Sequence, residues 1–243
     1  MSRLDIITTH FNKISSLNKT IDSLRAQTFN DWQHYIIDAG TLKLRDELNQ
    51  NHLNDRRVKI FIVEKIGIYE GMNFGIMKSK SNHFMILNSG TIYESKSSLE
   101  TCINFLEYKK LLICDFNIKF SKKNIREYSP KIYCYPYGAA HESIFFPKVI
   151  DKTQIFHNPE KFYIGSDIVF CYEYGKSFEI KKCKKKIIIY DKGGYSDNYP
   201  LKKKILSNLK ILILFLKNKD FVLVLFPFLR IFKDILLLRR EHD

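Results

Sequence analysis

Two stretches of the chain decide its fold: Gly67-Ile68-Tyr69-Glu70-Gly71-Met72-Asn73 and, after it, Leu87-Asn88-Ser89-Gly90-Thr91. The first opens a segment whose apolar residues have helical spacing, and we predict a helix over residues 69–80. The second ends a short apolar run that predicts a strand over residues 83–87. A helix followed directly by a strand is typical of α/β proteins, so these stretches favour that class.

The first half of the chain repeats this alternation of strand-like runs and helical spacing. The alternation is typical of βαβ units around a largely parallel sheet. Apolar residues at spacings of three and four give the helices one face to pack on the sheet. Strands are predicted over residues 4–8, 32–38, 58–63 and 83–87, and helices over residues 14–26, 41–51 and 69–80, the last with Met72, Ile76 and Met77 facing inward.

Beyond Thr91 the alternation is less regular, and we expect mixed or antiparallel pairing. The Gly193-Gly194 pair predicts a turn that closes the globular part. Helices are predicted over residues 97–106 and 167–174, extended segments over 111–115, 131–137 and 143–146, and a lysine-rich strand pair that ends at residues 187–190.

The composition fits one globular domain with an anionic partner. The 243 residues are 45% hydrophobic and carry a formal net charge of +14. Nucleotide phosphates, nucleic acid and an acidic membrane leaflet each suit that charge, and the lysines of residues 181–186 equally suit a solvated face. Five cysteines without a C-x-x-C pair favour reduced thiols in a cytosolic protein and argue against a zinc site. Residues 1–5 lack the pattern of a secretory signal.

The chain changes character after residue 200. Apolar runs at residues 211–216 and 221–229 are interrupted by charged residues and Pro227, and neither approaches the ~20 residues needed to cross a bilayer. Basic residues beside apolar runs favour an amphipathic helical tail lying on a membrane surface. The alternative is a helical hairpin that packs on the domain or on a second copy. We therefore divide the chain into a domain, residues 1–200, and a tail, residues 201–243.

Polar residues follow each of the first two predicted strands. Thr8-Thr9-His10-Phe11-Asn12 leaves the first strand and Asp38 ends the second. Both are expected at the carboxyl edge of the sheet, where α/β proteins bind ligands. The Asp38 carboxylate can accept a hydrogen bond from the N–H of a uracil ring, although aspartate at this place also suits the cap of a helix.

Taken in order along the chain, these motifs resemble those of the family 2 glycosyltransferases. The resemblance runs from Leu4 to Ser196 and implies the GT-A fold, a Rossmann-like, mixed but mainly parallel sheet flanked by helices. It implies a nucleotide-sugar donor, with the nucleobase held by Asp38. Glu70 is implied to contact the donor, but an acidic residue in a first helical turn also stabilises the helix dipole without any ligand. The substrate-binding residues implied are Thr8, His10, Phe11, Asp38, Gly67, Tyr69, Glu70, Asn73, Asn88, Ser89, Gly90, His141 and Ser196.

Thr91 departs from the family pattern. The stretch that ends at Thr91 resembles a leucine-asparagine-serine-glycine-aspartate motif, whose aspartate binds a divalent cation on the diphosphate. Threonine carries no charge and is a poor sole ligand for Mn²⁺ or Mg²⁺. Three alternatives remain open: a cation held mainly by the donor phosphates and other residues, a cation-independent reaction aided by lysine or histidine, or an inactive enzyme.

Three later segments resemble a subgroup that builds bacterial surface polysaccharides such as colanic acid, O-antigen and capsule. The first segment contains His141 and Glu142. His141 is implied to contact the acceptor or the diphosphate, and Glu142 replaces the usual glutamine. A histidine before an apolar strand also suits a structural role. In the second, Asp167 is implied to be the catalytic base, although aspartate is also favoured at a helix start without chemistry. The third, Gly193-Gly194-Tyr195-Ser196, is implied to close over the diphosphate.

We therefore expect an inverting hexosyltransferase that moves a sugar from a UDP-sugar to a hydroxyl of a lipid-linked saccharide. The expected location is cytoplasmic, peripheral on an anionic inner membrane surface, with a homodimer possible. The alternative is a catalytically degenerate nucleotide-sugar-binding or scaffold protein of the same fold, which Thr91 favours. Nucleic-acid binding is not expected, because no reader module or aromatic platform accompanies the basic residues.

Overall fold

A mixed sheet of nine strands is the largest element in the part of the chain that the computed structural model describes, residues 4–40, 54–64, 66–121, 123–148, 157–192 and 199–240. The strands are β1 (Leu4–His10), β2 (Trp32–Asp38), β3 (Val58–Ile62), β4 (His83–Ile86), β5 (Ile92–Tyr93), β6 (Lys110–Ser121), β7 (Asn124–Tyr128), β8 (Ile144–Pro147) and β9 (Glu179–Asp191). Their order across the sheet is β3-β2-β1-β4-β8-β6-β9-β5, with β7 paired to β6 outside that path.

The direction of the strands changes after β4. Strands β3, β2, β1 and β4 are parallel neighbours, whereas β8 runs antiparallel to both β4 and β6. Strand β9 is parallel to β6 and antiparallel to β5. The expected α/β fold is thus confirmed, with parallel pairing in the first half and mixed pairing beyond Thr91.

Seven α-helices lie within the described residues, and they flank the sheet or follow it. Helix α1 buries Leu17, Ile21 and Leu24, which are spaced by four and three residues and so share one apolar face. The helices are α1 (Ile14–Arg25), α2 (Ile68–Lys78), α3 (Ser98–Ile103), α4 (Pro159–Phe162), α5 (Ser166–Ser177), α6 (Leu201–Lys217) and α7 (Phe221–Arg240).

Helix α2 packs very close to the sheet because two of its residues are glycines. A Cβ at Gly75 would overlap the Cγ2 methyl of Ile7, and a Cβ at Gly71 would lie 2.9 Å from the Cγ2 of Thr9. Carbon atoms in ordinary contact lie about 3.5–4.0 Å apart, so larger side chains would push the helix away from β1. The two glycines therefore hold the first turn of α2 beside the carboxyl ends of the parallel strands.

Several predicted details are wrong. Met77 is exposed, because the buried residues Met72 and Ile76 define a face of α2 that points away from it. Residues 131–137 were predicted to be extended, but Ile132–Cys134 forms a 3-10 turn; Pro130 and Pro136, which flank it, cannot donate to a strand ladder. The lysine-rich strand pair is a single strand, β9, in which Lys182 pairs with Asp115 of β6 and Lys186 with Glu127 of β7.

Two predicted elements lie outside the described residues: the helix over residues 41–51 and the Gly193-Gly194 turn. The hairpin of β6 and β7 was not predicted. Its second strand, Asn124–Tyr128, has mostly exposed side chains, and so it lacks the apolar run by which the other strands were found.

The tail forms two helices, and one side of them packs on the domain. Ile211 and Phe215 of α6 and Leu223 of α7 are buried in a cluster that includes Tyr137 and Tyr172 of the domain. The opposite side carries exposed apolar residues: Leu206, Leu209, Ile213, Leu216, Phe221, Val222, Leu225, Phe228, Leu229, Phe232, Ile235, Leu236 and Leu237. Within the described residues, none of the helices combines the length and apolar character that crossing a membrane requires. The tail is thus docked on the domain and also presents an apolar surface.

All five cysteines are free thiols. Three of them, Cys102, Cys114 and Cys183, are buried, and their sulfur atoms lie within 4.8 Å of one another. Burial raises the pKa of the Cys114 thiol, which keeps it protonated and compatible with the apolar surroundings. The thiols therefore pack as small apolar groups.

Candidate active site

The topology brings polar residues from distant parts of the chain to one edge of the sheet. In the parallel pair β1 and β2, the last residues, His10 and Asp38, lie opposite each other. Strand β8 runs antiparallel to β4, with Phe84 opposite Phe146, so the start of β8 lies beside the end of β4. The His141–Ser143 turn, which precedes β8, is therefore expected beside the turn that follows β4, and the contacts described below confirm it.

The first group at this edge surrounds Asp38, which is buried. Its Oδ1 accepts a hydrogen bond from the Gly40 amide at 3.1 Å. A Cβ at Gly40 would lie 2.5 Å from the Asn12 Oδ1, so a larger residue there would displace the Asn12 side chain. The Ala39 amide donates to the His10 carbonyl at 3.0 Å, which ties the two strand ends together, and Phe11 beside them is 64% exposed. A carboxylate and an exposed aromatic ring thus lie at adjoining strand ends, a pairing suited to a planar base.

The second group centres on Asp167, in the first turn of α5. The Tyr69 hydroxyl lies 3.0 Å from the Ile164 carbonyl and 3.3 Å from the Asp167 Oδ1, so it can donate to either. The His141 Nδ1 lies 3.8 Å from the Asp167 Oδ2. The Asn88 amide nitrogen lies 3.4 Å from the His141 Nε2, on the other side of the ring from the Nδ1 that faces Asp167. A partly exposed carboxylate is thus oriented by two neighbouring groups.

The first turn of α2 connects the two groups. Gly71 lies against Thr9 of β1, while Tyr69, two residues earlier, reaches Asp167. The Glu70 carboxylate folds back over Gly67 at the start of the helix. This position matches the helix-stabilising alternative for Glu70, because a negative charge is favourable at a helix N-terminus.

Thr91 is buried and its hydroxyl is engaged. It donates to the Glu142 Oε1 at 2.6 Å. The Thr20 hydroxyl of α1 donates to the Thr91 carbonyl at 2.9 Å and accepts from the Gly90 amide at 2.9 Å, and Gly90 has a φ of +105° that favours glycine. The turn after β4 is therefore held in one conformation, with a glutamate against the residue where the family pattern has its aspartate.

Two of the predicted substrate-binding residues are used inside the protein. Thr8 is fully buried, and its hydroxyl donates to the Leu87 carbonyl at 2.7 Å and lies 2.8 Å from the His34 Nε2. The Asn73 side chain donates to the His157 carbonyl at 2.9 Å and accepts from the His157 amide at 2.9 Å. Thr8 and Asn73 thus make contacts that hold the frame of the site, and their predicted role in substrate binding stays a prediction. Ser196 lies outside the described residues.

His157 is a site residue that the sequence did not reveal. Its ring stacks between Phe170, at a centroid distance of 4.0 Å, and Tyr69, at 5.2 Å. Burial lowers the pKa of His157 well below its ordinary value, so the ring is neutral, and it fixes the tyrosine that contacts Asp167. His157 is 84 residues from Asn73, its hydrogen-bond partner, and no local pattern links the two.

The site fits a divalent cation only if phosphates supply most of the ligands. Within the described residues, the buried cysteine trio is the one group of three or more metal-ligating side chains close enough to share an ion, and none such lies at this edge of the sheet. The turn after β4 nevertheless offers oxygen donors: the Asn88 Oδ1 and Ser89 Oγ are buried without hydrogen-bond partners in the described structure. Mg²⁺ often takes one or two protein carboxylates and fills its shell with substrate phosphates. Neither of these two oxygens is a carboxylate oxygen, so phosphates would have to supply most of the shell.

Comparison with known proteins identifies the family. The model of glycosyl transferase family 2 matches residues 5–175, which include Asp38, Thr91, His141 and Asp167. The chain belongs to glycosyl transferase family 2. No curated protein matches it.

Solved structures share the fold of this family 2 chain at low sequence identity. Residues 1–349 of TarS from S. aureus, in complex with UDP-GlcNAc, align with a TM-score of 0.64 and 13% identity, over 86% of this chain and 66% of that one. The mannosyltransferase PcManGT from Pyrobaculum calidifontis, in complex with GDP-Man and Mn²⁺, aligns with a TM-score of 0.62 and 9% identity, over 90% of this chain and 64% of that one. This chain covers 40% of the length of a longer TarS structure. The family 2 chain thus has the GT-A fold and spans two thirds or less of these proteins.

Proposed function

We propose that this chain transfers a sugar from a nucleotide sugar to an acceptor hydroxyl, with inversion at the anomeric carbon. The observation that carries the proposal is the position of Asp167: a partly exposed carboxylate, oriented by Tyr69 and His141, at the sheet edge that also holds Asp38. Such a transfer requires a general base and a carboxylate that binds the nucleobase, both at one edge of the sheet.

In the proposed reaction, Asp167 accepts the proton of the acceptor hydroxyl as its oxygen attacks C1 of the sugar. The bond between C1 and the phosphate oxygen breaks, and the nucleoside diphosphate leaves with the electron pair. Attack on the face opposite the leaving group inverts the configuration. A divalent cation on the diphosphate, when bound, neutralises the charge that builds on the leaving group.

The donor end of the proposed site is the Asp38 and Phe11 pair. Asp38 would accept a hydrogen bond from a ring N–H of the base, and Phe11 offers an exposed ring for stacking. The structures of TarS with UDP-GlcNAc and PcManGT with GDP-Man show that proteins of this fold bind either nucleotide. We propose a UDP-sugar donor because the family resemblance points to it; the Asp38 carboxylate can accept from the uracil N–H, and also from the N–H groups of guanine.

We further propose that the acceptor is a lipid-linked saccharide of bacterial surface polysaccharide synthesis, met at the inner face of the cytoplasmic membrane. The tail supports this location, since its exposed side is apolar and Lys202, Lys203, Lys217 and Lys219 are exposed beside it. Each lysine near an anionic surface contributes about 1 kcal/mol to binding. A second copy of the chain is the other occupant that this apolar side would suit.

The test is transfer from a panel of labelled UDP- and GDP-sugars to lipid-linked acceptors, with the anomeric configuration of the product determined by NMR. We expect transfer from one nucleotide class with inversion. Product with retained configuration would contradict the mechanism. Asp191→Asn, an exposed aspartate on β9, serves as a control for Asp167→Asn and should leave turnover unchanged.

A second candidate function is nucleotide-sugar binding without transfer. It is favoured by Thr91, whose hydroxyl is committed to Glu142 and offers no charge to a cation. The panel separates the two functions: donor binding without transfer or hydrolysis for any donor would support the degenerate protein.

A further inference from the structure

We propose that Glu142 is the protein carboxylate that holds the donor-bound cation in this chain, in place of an aspartate at position 91. The proposal rests on the proposed function, since the cation arrives with the diphosphate of a nucleotide donor. It assigns a role to a residue that the sequence motifs left in doubt.

Glu142 lies directly against the turn that contains Thr91. Glu142 precedes β8 and Thr91 follows β4, and the antiparallel pairing of these strands brings the two residues together from 51 positions apart. The 2.6 Å hydrogen bond between them fixes the Glu142 carboxylate directly against the Asn88–Thr91 turn. A carboxylate is therefore present at this turn, supplied by the His141–Ser143 turn that precedes β8.

Thr91 and Glu142 are chemically complementary. The threonine hydroxyl donates to the glutamate, whereas an aspartate at position 91 would place a second carboxylate against it. Two carboxylates in such contact repel each other, so that at least one would have to take up a proton. Thr91 and Glu142 thus make a consistent pair: each is tolerated at its position because of the other.

The Glu142 carboxylate is buried and has few partners. The side chain is 6% exposed, and within the described residues it makes one hydrogen bond, from the neutral Thr91, and no ion pair. Buried carboxylates in proteins are paired with an opposite charge, coordinate a metal or take up a proton. A cation that enters with the diphosphate would give the Glu142 carboxylate a positive partner, and the unpartnered Asn88 Oδ1 and Ser89 Oγ lie in the Asn88–Thr91 turn.

The direct test measures Mn²⁺ binding, rather than turnover, by electron paramagnetic resonance in the presence and absence of UDP. We expect the wild-type chain to bind Mn²⁺ when UDP is present and Glu142→Gln to bind it at least ten-fold more weakly. Glutamine can still accept the Thr91 hydrogen bond, so the fold should be kept, as circular dichroism would show. Glu127→Gln, on the exposed strand β7, is the matched control and should bind Mn²⁺ like the wild type.

An exchange of the two residues gives an independent test. Thr91→Asp combined with Glu142→Gln moves the carboxylate back across the strand pair, and we expect it to restore Mn²⁺ binding that Glu142→Gln alone has lost. Unchanged Mn²⁺ affinity in Glu142→Gln would overturn the proposal. So would UDP binding that is equal with Mn²⁺ and with a chelator, although the donor site itself would then stand. Absence of both UDP and GDP binding under both conditions would overturn the proposed function as well.

Discussion

Helix α7 presents an apolar stripe whose contribution to membrane binding can be calculated. Phe221, Leu225, Phe228 and Phe232 are spaced by four, three and four residues, which places them on one face of the helix. They are 71%, 55%, 56% and 57% exposed, respectively. We propose replacing Phe228 and Phe232 by serine, because these two rings are large, neighbouring and away from the residues that dock the tail.

The expected loss follows from the surface that remains to be buried. Complete burial of a phenylalanine side chain contributes about 1.5–3 kcal/mol, and a ring with about half of its surface exposed can still gain about 1 kcal/mol. Two rings give about 2 kcal/mol, which weakens the partition into vesicles about 30-fold, since 1.4 kcal/mol corresponds to a factor of ten. Substitutions at such exposed positions should change the free energy of unfolding little.

The assay is sedimentation with vesicles of phosphatidylcholine, with and without phosphatidylglycerol. We expect the wild type to bind the anionic vesicles and Phe228→Ser with Phe232→Ser to lose most of that binding. Phe105→Ser, in which a 47% exposed ring outside the tail is removed, is the matched control. If the double variant partitions within about twofold of the wild type, the burial argument fails; the membrane proposal itself fails if the wild type does not bind.

Three further predictions concern the site. Asp167→Asn should abolish turnover and leave UDP affinity nearly unchanged, because the amide cannot accept the acceptor proton; turnover within a few-fold of wild type would remove Asp167 from the role of base. Asp38→Ala should weaken the binding of UDP and of every UDP-sugar alike in calorimetry, and an unchanged affinity would exclude it from the donor site. The third is a pH effect: burial lowers the pKa of His157 below 6.5, so the unfolded chain takes up the proton first. The stability from this group is present above pH 6.5 and is lost as pH falls towards the lowered pKa, by up to about 1.4 kcal/mol per pH unit. His157→Phe keeps the stacking on Tyr69. Its free energy of unfolding, measured with urea at several pH values, should fall less steeply with decreasing pH than that of the wild type. An equal dependence on pH in the two proteins would contradict this.

The parallel half of the fold could be predicted from the sequence because its signals are local. Strands β1 to β4 and helices α1 and α2 end within two residues of the predicted bounds, since apolar periodicity and burial coincide there. The same logic failed for Met77, whose apolar side chain faces solvent. Periodicity marks a face of a helix only to within about one residue position, 100° of rotation.

The site was predictable only where motifs carried it. Asp38, His141 and Asp167 were predicted by resemblance, and the structure places the His141 Nδ1 3.8 Å from the Asp167 Oδ2. The contacts of His157 and of Glu142 connect residues 84 and 51 positions apart, and such pairings depend on strand order rather than on local pattern. The docking of α6 is also long-range: a Cβ at Gly165 would overlap the side chain of Ile211, so the tail packs on the turn that precedes Asp167.

The central claim, a nucleotide-sugar site at the carboxyl edge of the sheet, is tested most directly by calorimetric titration with UDP and GDP, each with Mn²⁺ and then with a chelator. We predict saturable binding of UDP, weaker or absent binding of GDP, and weakened binding of UDP in Asp38→Ala. If neither nucleotide binds under either condition, the edge formed by Asp38, Phe11 and the first turn of α2 is not a donor site, and the proposed transfer reaction is wrong.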